Sequence, residues 1–453
     1  MGLKIKTLLF FLITLSVIFF FLLFNDSCQH KADKRKKPNI IFICVDTLRA
    51  DRLACYGYEN IETPNIDSIA EKGVLFSQAV TQVPVTLPSH CSIFTSQNPI
   101  VHNVRENGTY RLDNSETTLA EILKENGYRT AAFIGGFPLD SRFGLNQGFE
   151  VYDDDLSGEK IVSHTENKIW QGHEFSSFER KAADVIKSAI KWLSAYKEQR
   201  FFLFIHLFDP HAPYSPPDPF NKDYKKKRRY DGEVAYVDYS LGELFENLRN
   251  WKLIKDALII FTSDHGESLG EHEYFTHGKK LYEPSMRIPL IISFPSLLPK
   301  GKVIDVLVRS IDIMPTILGI LGIKPLKKFQ GINLMPVISR GNTEKLNLTS
   351  YGETLLPKLR FGDEELRSYR TNKWKYIRYT KDNKMVKEEL FYLENDPKEH
   401  QNLSKTGKGK SKAFSLLLDE LIEHDRKIST KRNTHFKMDE ETIRKLKSLG
   451  YIK

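Results

Sequence analysis

The sequence predicts an α/β fold, in which helices cover both faces of a mostly parallel sheet. Three apolar runs, 39–45, 201–205 and 257–262, are uninterrupted, as expected for strands that are buried on both faces. Stretches with helical spacing of apolar residues lie between them, for example 182–193. This alternation continues to about residue 335 and indicates one parallel-type sheet in a three-layer sandwich.

Composition bounds the classes of protein that the chain can belong to. It has 453 residues, of which 40% are hydrophobic and 28% charged, enough for a large α/β domain plus a smaller one. The net charge of +9 is modest, and much of it lies in short runs at 34–37 and 225–229. No nucleic-acid-binding motif is present, so we expect no DNA or RNA partner. The four cysteines form no C-x-x-C pair, which argues against a structural zinc site or a disulfide framework.

The N-terminus predicts a membrane anchor. Residues 7–24 form an 18-residue apolar run preceded by Lys4 and Lys6, and no small-x-small cleavage site follows. We therefore predict that residues 1–37 are an uncleaved signal anchor, with a transmembrane helix and a basic tether. The positive charge after the span exceeds that before it, which leaves the orientation open. We expect a membrane-anchored protein whose main body lies outside the cytoplasm.

The remaining chain divides into two predicted domains, 38–340 and 341–453. In the second, the segments 366–370, 374–378 and 389–393 alternate or run apolar between Asn and Asp turns, which indicates an antiparallel sheet. Apolar residues over 414–422 predict a closing amphipathic helix. We therefore predict a smaller C-terminal α+β subdomain.

Acidic and imidazole side chains follow three of the predicted strands. Asp46 follows the first, Asp209 and His211 the second, and Asp264 and His265 the third. Ligands of open α/β sheets bind at the carboxyl ends of the strands. One such Asp is more often a cap or a turn residue, but three strands that end alike favour a binding site. Carboxylates with imidazole suit a divalent cation such as Ca²⁺, Mg²⁺, Mn²⁺ or Zn²⁺.

The segment that begins at Thr86 supplies a candidate nucleophile. Pro88 fits the first turn of a helix, where its missing N–H costs little. Thr86 would then stand at a helix N-terminus, which favours a bound anion. A hydroxyl beside a metal ion can act as an alkoxide nucleophile. The alternative interpretation is that Thr86 only caps the helix.

These motifs resemble those of the sulfatase family, within the alkaline phosphatase superfamily. The resemblance extends from residue 38 to the C-terminal end and implies an alkaline-phosphatase-like α/β/α core. The matching segments are Asn39 to Arg49, Thr63 to Asp67, Thr86 to His90, Asp209 to Tyr214, Ser263 to Glu267, Leu281 to Glu283, Asp312 to Thr316, Arg370 to Lys375 and Leu390 to Pro397.

The resemblance assigns a role to the residues at the strand ends. It implies that Asp46, Asp264 and His265 bind the metal ion. Thr86 falls at the nucleophile position of the family, where the attacking oxygen is also a metal ligand.

It also implies candidate substrate contacts. His211 and His277 fall where residues contact the substrate anion or protonate the leaving group. Lys279 and Arg49 are further candidates for binding the anion. Asp209 either binds a second metal ion, as in two-zinc relatives, or orients His211.

Four positions depart from the usual sulfatase pattern. Sulfatases carry Cys or Ser, converted to formylglycine, where this chain has Thr86, and Arg where it has His90. Thr47 and His265 stand where many sulfatases have Asp and Asn, and these changes resemble the phosphoryl-transferring members.

We therefore predict a metal-dependent hydrolase that cleaves sulfate or phosphate (di)esters of an anionic substrate. The first alternative is a head-group transferase of the phosphoethanolamine or phosphoglycerol type, acting on envelope or lipid acceptors. The second is a non-catalytic anion-binding protein of the same fold.

Overall fold

The structure is a computed structural model. All of its described helices and strands lie in one unit, Pro38–Lys453. The predicted anchor at 7–24 lies outside the described residues and stays a prediction. Among the residues that are described, no helix is both long and apolar enough to cross a bilayer. The structure describes residues 37–156, 161–162, 176–177, 179–224, 228–340, 346–430 and 434–448.

An eight-stranded sheet forms the centre of the molecule, in the order β8-β2-β7-β6-β1-β5-β3-β4. Its strands are β1 Asn39–Val45, β2 Val74–Val80, β3 Arg129–Ile134, β4 Val151–Asp153, β5 Phe201–Leu207, β6 Ala257–Ser263, β7 Arg287–Ser293 and β8 Lys302–Arg309. Neighbouring strands run parallel except at β7, which is antiparallel to both β2 and β6. The predicted parallel-type sheet is confirmed apart from β7, because an apolar run carries no signal of its direction.

The helices lie between the strands along the chain and after the last strand. The α-helices are α1 Pro64–Glu71, α2 Thr86–Thr95, α3 Pro99–His102, α4 Leu119–Glu125, α5 Ala182–Tyr196, α6 Phe220–Asp223, α7 Arg229–Asn250, α8 Glu283–Met286, α9 Ile313–Ile320, α10 Met335–Arg340, α11 Leu356–Phe361, α12 Lys408–Ile428 and α13 Glu440–Ser448. The 3₁₀ turns are Ala50–Arg52, Ala54–Tyr56, Phe137–Leu139, Ser141–Phe143, Glu271–Glu273 and Ser310–Asp312. Two-residue strands pair at Ile161–Val162 with Ser176–Ser177 and at Ser268–Leu269 with Phe275–Thr276.

Two hydrophobic cores lie on opposite faces of the central sheet. Along β1, Phe42 and Cys44 pack into one core, whereas Ile43 and Val45 pack into the other. The first core includes buried side chains of α2, α4 and α9, and the second those of α1, α5 and α7. Because β1 is covered on both faces, its sequence is apolar throughout. The predicted α/β/α sandwich is thereby confirmed.

A second, antiparallel sheet forms the C-terminal part of the chain. Its strands, in spatial order, are β9 Ser350–Thr354, β10 Glu365–Arg370, β11 Trp374–Lys381 and β12 Lys384–Tyr392. The predicted antiparallel sheet and amphipathic helix are confirmed, and the helix is longer than predicted at both ends. The predicted boundary between 340 and 341 stays a prediction.

A buried ionic cluster connects this sheet to α8. The Arg370 guanidinium donates two hydrogen bonds of 3.0 Å to Glu283, and Lys375 Nζ donates a third of 3.1 Å. Burial alone would raise the pKa of Glu283, but these two cations outweigh it and lower the pKa to about 2. Glu283 is therefore ionised at neutral pH and depends on its partners.

Removing Arg370 is expected to destabilise the protein strongly. In Arg370→Ala, Glu283 keeps a buried charge with one partner fewer, so the free energy of unfolding should fall by about 3–5 kcal/mol. Urea denaturation measures this change. The matched control is Lys373→Ala, which removes the exposed pair with Glu394 and should unfold at the wild-type urea concentration. Equal midpoints for Arg370→Ala and wild type would contradict the expectation.

Candidate active site

The carboxyl ends of three adjacent strands define the site. β1 lies between β6 and β5, and Val45 is in register with Ser263 on one side and Leu207 on the other. Asp46 and Asp264 each follow directly after these aligned ends. The Asp46 N–H continues the ladder by donating to the Leu207 carbonyl at 2.8 Å. Parallel register therefore brings the two carboxylates side by side, as the sequence predicted.

Asp46, Asp264 and His265 form a buried cluster suited to a metal ion. Each offers one ligand atom, and these atoms lie within 4.8 Å of one another. His265 Nε2 is 3.4 Å from Asp264 Oδ2 and 3.9 Å from Asp46 Oδ1. The His265 Nδ1–H donates to the Gly266 carbonyl at 2.9 Å, which leaves the lone pair on Nε2 facing the carboxylates.

Unpaired polar atoms support a cation at this position. Both carboxylate oxygens of Asp46, Asp264 Oδ2 and His265 Nε2 are buried without a hydrogen-bond partner. Buried polar atoms normally have a partner, and carboxylate oxygens with imidazole nitrogen are donors that divalent cations accept. The residues present therefore fit a divalent metal ion.

The pKa shifts within the cluster also favour a bound cation. Burial raises the pKa of Asp46, and the nearby His265 opposes this shift. Burial and the Asp46 charge together raise the pKa of Asp264. Burial would lower the pKa of His265, but the two carboxylates outweigh it and raise that pKa. Two carboxylates held together away from water are costly, and a cation between them offsets that cost.

Thr86 begins α2 next to this cluster. Its hydroxyl is buried, makes no hydrogen bond of standard geometry, and lies close enough to Asp46 to lower the pKa of that carboxyl against the larger effect of burial. The alternative that Thr86 caps the helix is wrong, because Val85 is the N-cap residue and no side chain caps the helix. Thr86 therefore sits in the first turn, where the positive end of the helix dipole faces the site.

Two of the predicted histidines lie beside the cluster. The ring centroid of His277 is 4.5 Å from that of His265 and 5.1 Å from that of His211. His277 Nδ1 is 3.2 Å from Oε1 of the buried Glu267, and the His211 Nδ1–H donates to the Ala212 carbonyl at 2.6 Å. Burial lowers the pKa of His211 to about 3 and that of His277 well below its usual value. Both rings are therefore neutral at neutral pH.

Arg49 and Lys279 have partners other than the cluster. Arg49 donates to the Asp51 carboxylate at 2.7 and 2.8 Å and to Glu271 at 2.7 Å. Lys279 Nζ lies 4.4 Å from the ring centroid of Phe361. Their predicted contact with the substrate anion stays a prediction.

Asp209 does not join the cluster. One of its carboxylate oxygens accepts from Lys181 Nζ at 2.9 Å, and the other accepts from the Ala182 N–H at 2.8 Å. This carboxylate is paired with a lysine at the start of α5, and its predicted role as a ligand of a second metal ion stays a prediction. Its alternative role in orienting His211 stays a prediction.

The structure adds two residues that the sequence did not single out, Asn107 and His206, and it also places His90, which the sequence noted only as a departure from the sulfatase pattern. Asn107 Oδ1 accepts from the Leu87 N–H at 2.8 Å, while its buried Nδ2 has no hydrogen-bond partner among the described residues. His206 lies in β5, with Nε2 at 3.4 Å from Asp46 Oδ2. His90 lies one turn after Thr86 in α2. The signal for His206 was its position directly after the apolar run 201–205, and Asn107 had no such signal.

The sheet order, the strand-end cluster and the hydroxyl at the helix N-terminus define an ester hydrolase of the alkaline phosphatase superfamily. The sequence model of the Sulfatase family matches residues 38–323, and the model of the N-sulphoglucosamine sulphohydrolase C-terminal region matches residues 270–427. The chain belongs to the sulfatase family, and it is a sulfatase-like hydrolase of sulfuric or phosphoric esters.

Known relatives agree with this assignment. The chain is 26% identical to an arylsulfatase of Clostridium perfringens over 445 residues, which cover 81% of this chain and 90% of the relative. The solved structure of yidJ from Bacteroides fragilis has a TM-score of 0.73 at 23% identity, covering 94% of this chain and all of that one. The phosphonate monoester hydrolase of Agrobacterium radiobacter also has a TM-score of 0.73, at 22% identity, covering 86% and 96%. These two structures share the fold.

Proposed function

We propose that this protein is a metal-dependent hydrolase that cleaves an anionic sulfate or phosphate ester through a covalent bond to Thr86. The observation that carries the proposal is the position of the Thr86 hydroxyl and its lack of a standard hydrogen bond. It is buried at the start of α2, has no standard hydrogen bond, and faces a carboxylate of the Asp46, Asp264 and His265 cluster. A threonine with only a structural role would satisfy its hydroxyl within the protein.

The residues around Thr86 have distinct roles in this proposal. A divalent cation held by Asp46, Asp264, His265 and Thr86 Oγ1 would supply positive charge that favours the alkoxide and offsets charge on the ester oxygens. Thr86 Oγ1 attacks the sulfur or phosphorus, and the bond to the leaving-group oxygen breaks. The Nδ2 amide of Asn107 and the free N–H groups of α2 donate to the anionic oxygens.

Protons move through the neutral histidines. His277 or His211 donates a proton to the departing alkoxide, which leaves as an alcohol. Before that transfer the ring takes up the proton that Thr86 Oγ1 releases as it attacks, so the ring returns to neutral imidazole after donating to the leaving group. In the second step the same ring takes a proton from the water that attacks the Thr86 ester and returns it to Thr86 Oγ1. That attack releases the inorganic anion and restores the Thr86 hydroxyl. Glu267, 3.2 Å from His277 Nδ1, orients the ring for this exchange.

The chemistry of threonine favours phosphate esters over sulfate esters. Formylglycine releases sulfate by elimination, using the second hydroxyl on its β-carbon, and Thr86 has only one oxygen there. A phosphothreonine can be cleaved by a second displacement at phosphorus without such a group. We therefore place phosphate mono- and diesters first among the candidate substrates.

A panel of chromogenic esters tests the ester class and the metal together. The full chain is assayed with nitrophenyl phosphate, bis-nitrophenyl phosphate and nitrophenyl sulfate, each with Mg²⁺, Mn²⁺, Ca²⁺, Zn²⁺ or a chelator. We expect metal-dependent release of nitrophenol, faster from a phosphate ester than from the sulfate. The exposed His400→Ala variant is the control and should match wild type. Absence of metal-dependent turnover of every ester would contradict the proposal.

Adding an acceptor separates hydrolysis from transfer. With ethanolamine or glycerol in the assay, a hydrolase yields the inorganic anion, whereas a head-group transferase yields a new phosphoester. Mass spectrometry of the products distinguishes the two. We expect the inorganic anion to dominate.

We also propose that residues 7–24 anchor the protein in a membrane, with the catalytic unit outside the cytoplasm. The support is the sequence of that run, followed by the basic tether. Fractionation of expressing cells, combined with protease treatment from outside, tests both parts. Recovery in the soluble fraction would contradict the anchor, and protection from protease would contradict the orientation.

A further inference from the structure

A cavity of about 500 Å³ lies where the C-terminal sheet and the end of α12 meet the segment that follows α3. Three arginines line it: Arg105 from that segment, Arg367 from β10 and Arg426 from the last turn of α12. The described lining residues include no carboxylate. They also include neither Thr86 nor any candidate metal ligand, so this cavity is separate from the candidate active site.

Two of the arginines are buried next to each other. Arg105 donates to both carboxylate oxygens of Glu353, at 2.6 and 2.5 Å, and Arg367 Nη1 donates to Glu365 at 2.5 Å. Each arginine side chain is only 12% exposed. Burial would lower the pKa of Arg105, and Glu353 outweighs it, while the charge of Arg367 acts in the same direction as burial. The two guanidinium groups therefore repel each other, and an anion between them would offset that cost.

All three arginines retain N–H groups that the protein does not use. Arg367 Nε is buried without a hydrogen-bond partner, an arrangement that is costly for a charged group. The bonds from Arg105 to Glu353 use Nε and Nη2 but not Nη1. Arg426 is exposed and takes no part in the ion pairs among the described residues. The cavity therefore presents donors from three different elements.

Positive charge exceeds negative charge around the cavity. The carboxylates that pair with the lining arginines are Glu353 and Glu365, and Glu365 also accepts from Lys358 at 2.8 Å. Four cations, the three arginines and Lys358, thus stand against two carboxylates. Guanidinium groups present their donors in a planar fork that matches the oxygens of an oxyanion.

We propose that Arg105, Arg367 and Arg426 bind the phosphate or sulfate group of a small organic molecule in this cavity. Three separate donors match the three free oxygens of a tetrahedral ester better than the two oxygens of a carboxylate. The volume is that of a small-molecule site, for which about 300–1,000 Å³ is typical, and it exceeds what an inorganic ion fills. Ile100 gives the organic part an apolar contact. The site does not depend on the proposed chemistry at Thr86.

Anion binding by the metal-free full chain tests the site without measuring turnover. In chelator, the carboxylates of Asp46 and Asp264 disfavour an anion at the active site, so binding reports the arginine cavity. Glycerol 3-phosphate and inorganic phosphate are titrated calorimetrically at constant ionic strength. We expect one glycerol phosphate per chain and weaker binding of inorganic phosphate. Tighter binding of inorganic phosphate would overturn the organic ligand.

Arg426→Gln is the most informative variant, because it leaves no described carboxylate without its partner and should fold like wild type. It should weaken glycerol phosphate binding at least about tenfold, the effect of losing one hydrogen bond to a charged group. Arg367→Lys keeps a charge beside Glu365 but loses Nε and the planar fork, so it should also weaken binding. Lys427→Gln removes a neighbouring exposed charge of α12 that does not line the cavity, and should bind like wild type.

Two results would overturn the site. One is an absence of binding in chelator, or equal affinities of wild type, Arg426→Gln and Arg367→Lys. The other is an equal loss in Lys427→Gln and Arg426→Gln, which would indicate non-specific attraction to the basic end of α12. None of these measurements involves a metal ion or Thr86, so the proposed function is tested separately by the ester assays.

Discussion

The Thr86→Ala variant is expected to lose at least about 10⁴-fold in turnover, the scale seen when a covalent nucleophile is removed. The Thr86 hydroxyl is the one described hydroxyl that lies in the first turn of α2 and faces the Asp46 carboxylate. Alanine fits the buried position and keeps the helix, so the loss should appear in the rate and leave the fold unchanged. Steady-state assays on the preferred nitrophenyl ester measure it.

A matched control lies on the same helix. Thr95 is also buried in α2, but its hydroxyl donates to the Cys91 carbonyl at 2.6 Å, at the opposite end from the site. Thr95→Ala removes the same group and should retain wild-type turnover. Mass spectrometry of wild type quenched during turnover should detect a phosphate adduct on Thr86. Retained turnover in Thr86→Ala would reject the nucleophile.

Asp264→Asn is expected to weaken metal binding and to lower turnover by at least about 10³-fold. A ligand charge contributes several kcal/mol to stabilising the transition state, and each 1.36 kcal/mol corresponds to a factor of ten. Asparagine can still accept the hydrogen bonds from the Thr47 and His265 N–H groups through Oδ1. The substitution therefore removes the charge while the local backbone stays in place.

The same variant should be more stable than wild type when no metal is bound. Burial and Asp46 raise the pKa of Asp264 above its unfolded value of about 3.9. The unfolded state then releases its proton first, so this group destabilises the metal-free fold as pH rises above about 4. A neutral asparagine has no such cost. We expect a higher melting temperature in chelator at pH 7 and a smaller rise on adding metal.

The control for this variant is Asp419→Asn, whose carboxylate is half-exposed and pairs with Arg378. It should bind metal like wild type and melt at a similar temperature. Calorimetric titration with Zn²⁺ and melting curves with and without chelator measure both effects. Wild-type metal affinity in Asp264→Asn would remove that residue from the ligand set.

The sequence predicted the cluster of Asp46, Asp264 and His265 because these residues lie at the ends of two apolar strands. An uninterrupted run such as 39–45 indicates a buried strand, and the residue after it must lie at the sheet edge. Asp46 and Asp264 follow this rule, and parallel register aligns them. Asp209 does not, because it lies two positions beyond the end of β5, where the chain has already turned toward α5.

Contacts between distant segments account for what the sequence did not show. The direction of β7 depends on the connection before it, which passes through the site and whose only α-helix is the four-residue α8. Asn107 approaches Thr86 only through its bond to the Leu87 N–H, across 20 positions. Lys181 neutralises Asp209 from a segment 28 positions away.

From its residues alone, the chain specified a three-layer α/β core, its strand-end acids and the threonine of α2, since local hydrophobic periodicity and helix-start signals encode these features. Tertiary structure alone decided which side chains share the buried space around Asp46 and Asp264, namely His90, His206 and His265 but not Asp209. The reason is physical: strand register and side-chain direction set these distances, and neither is written in the spacing of one segment.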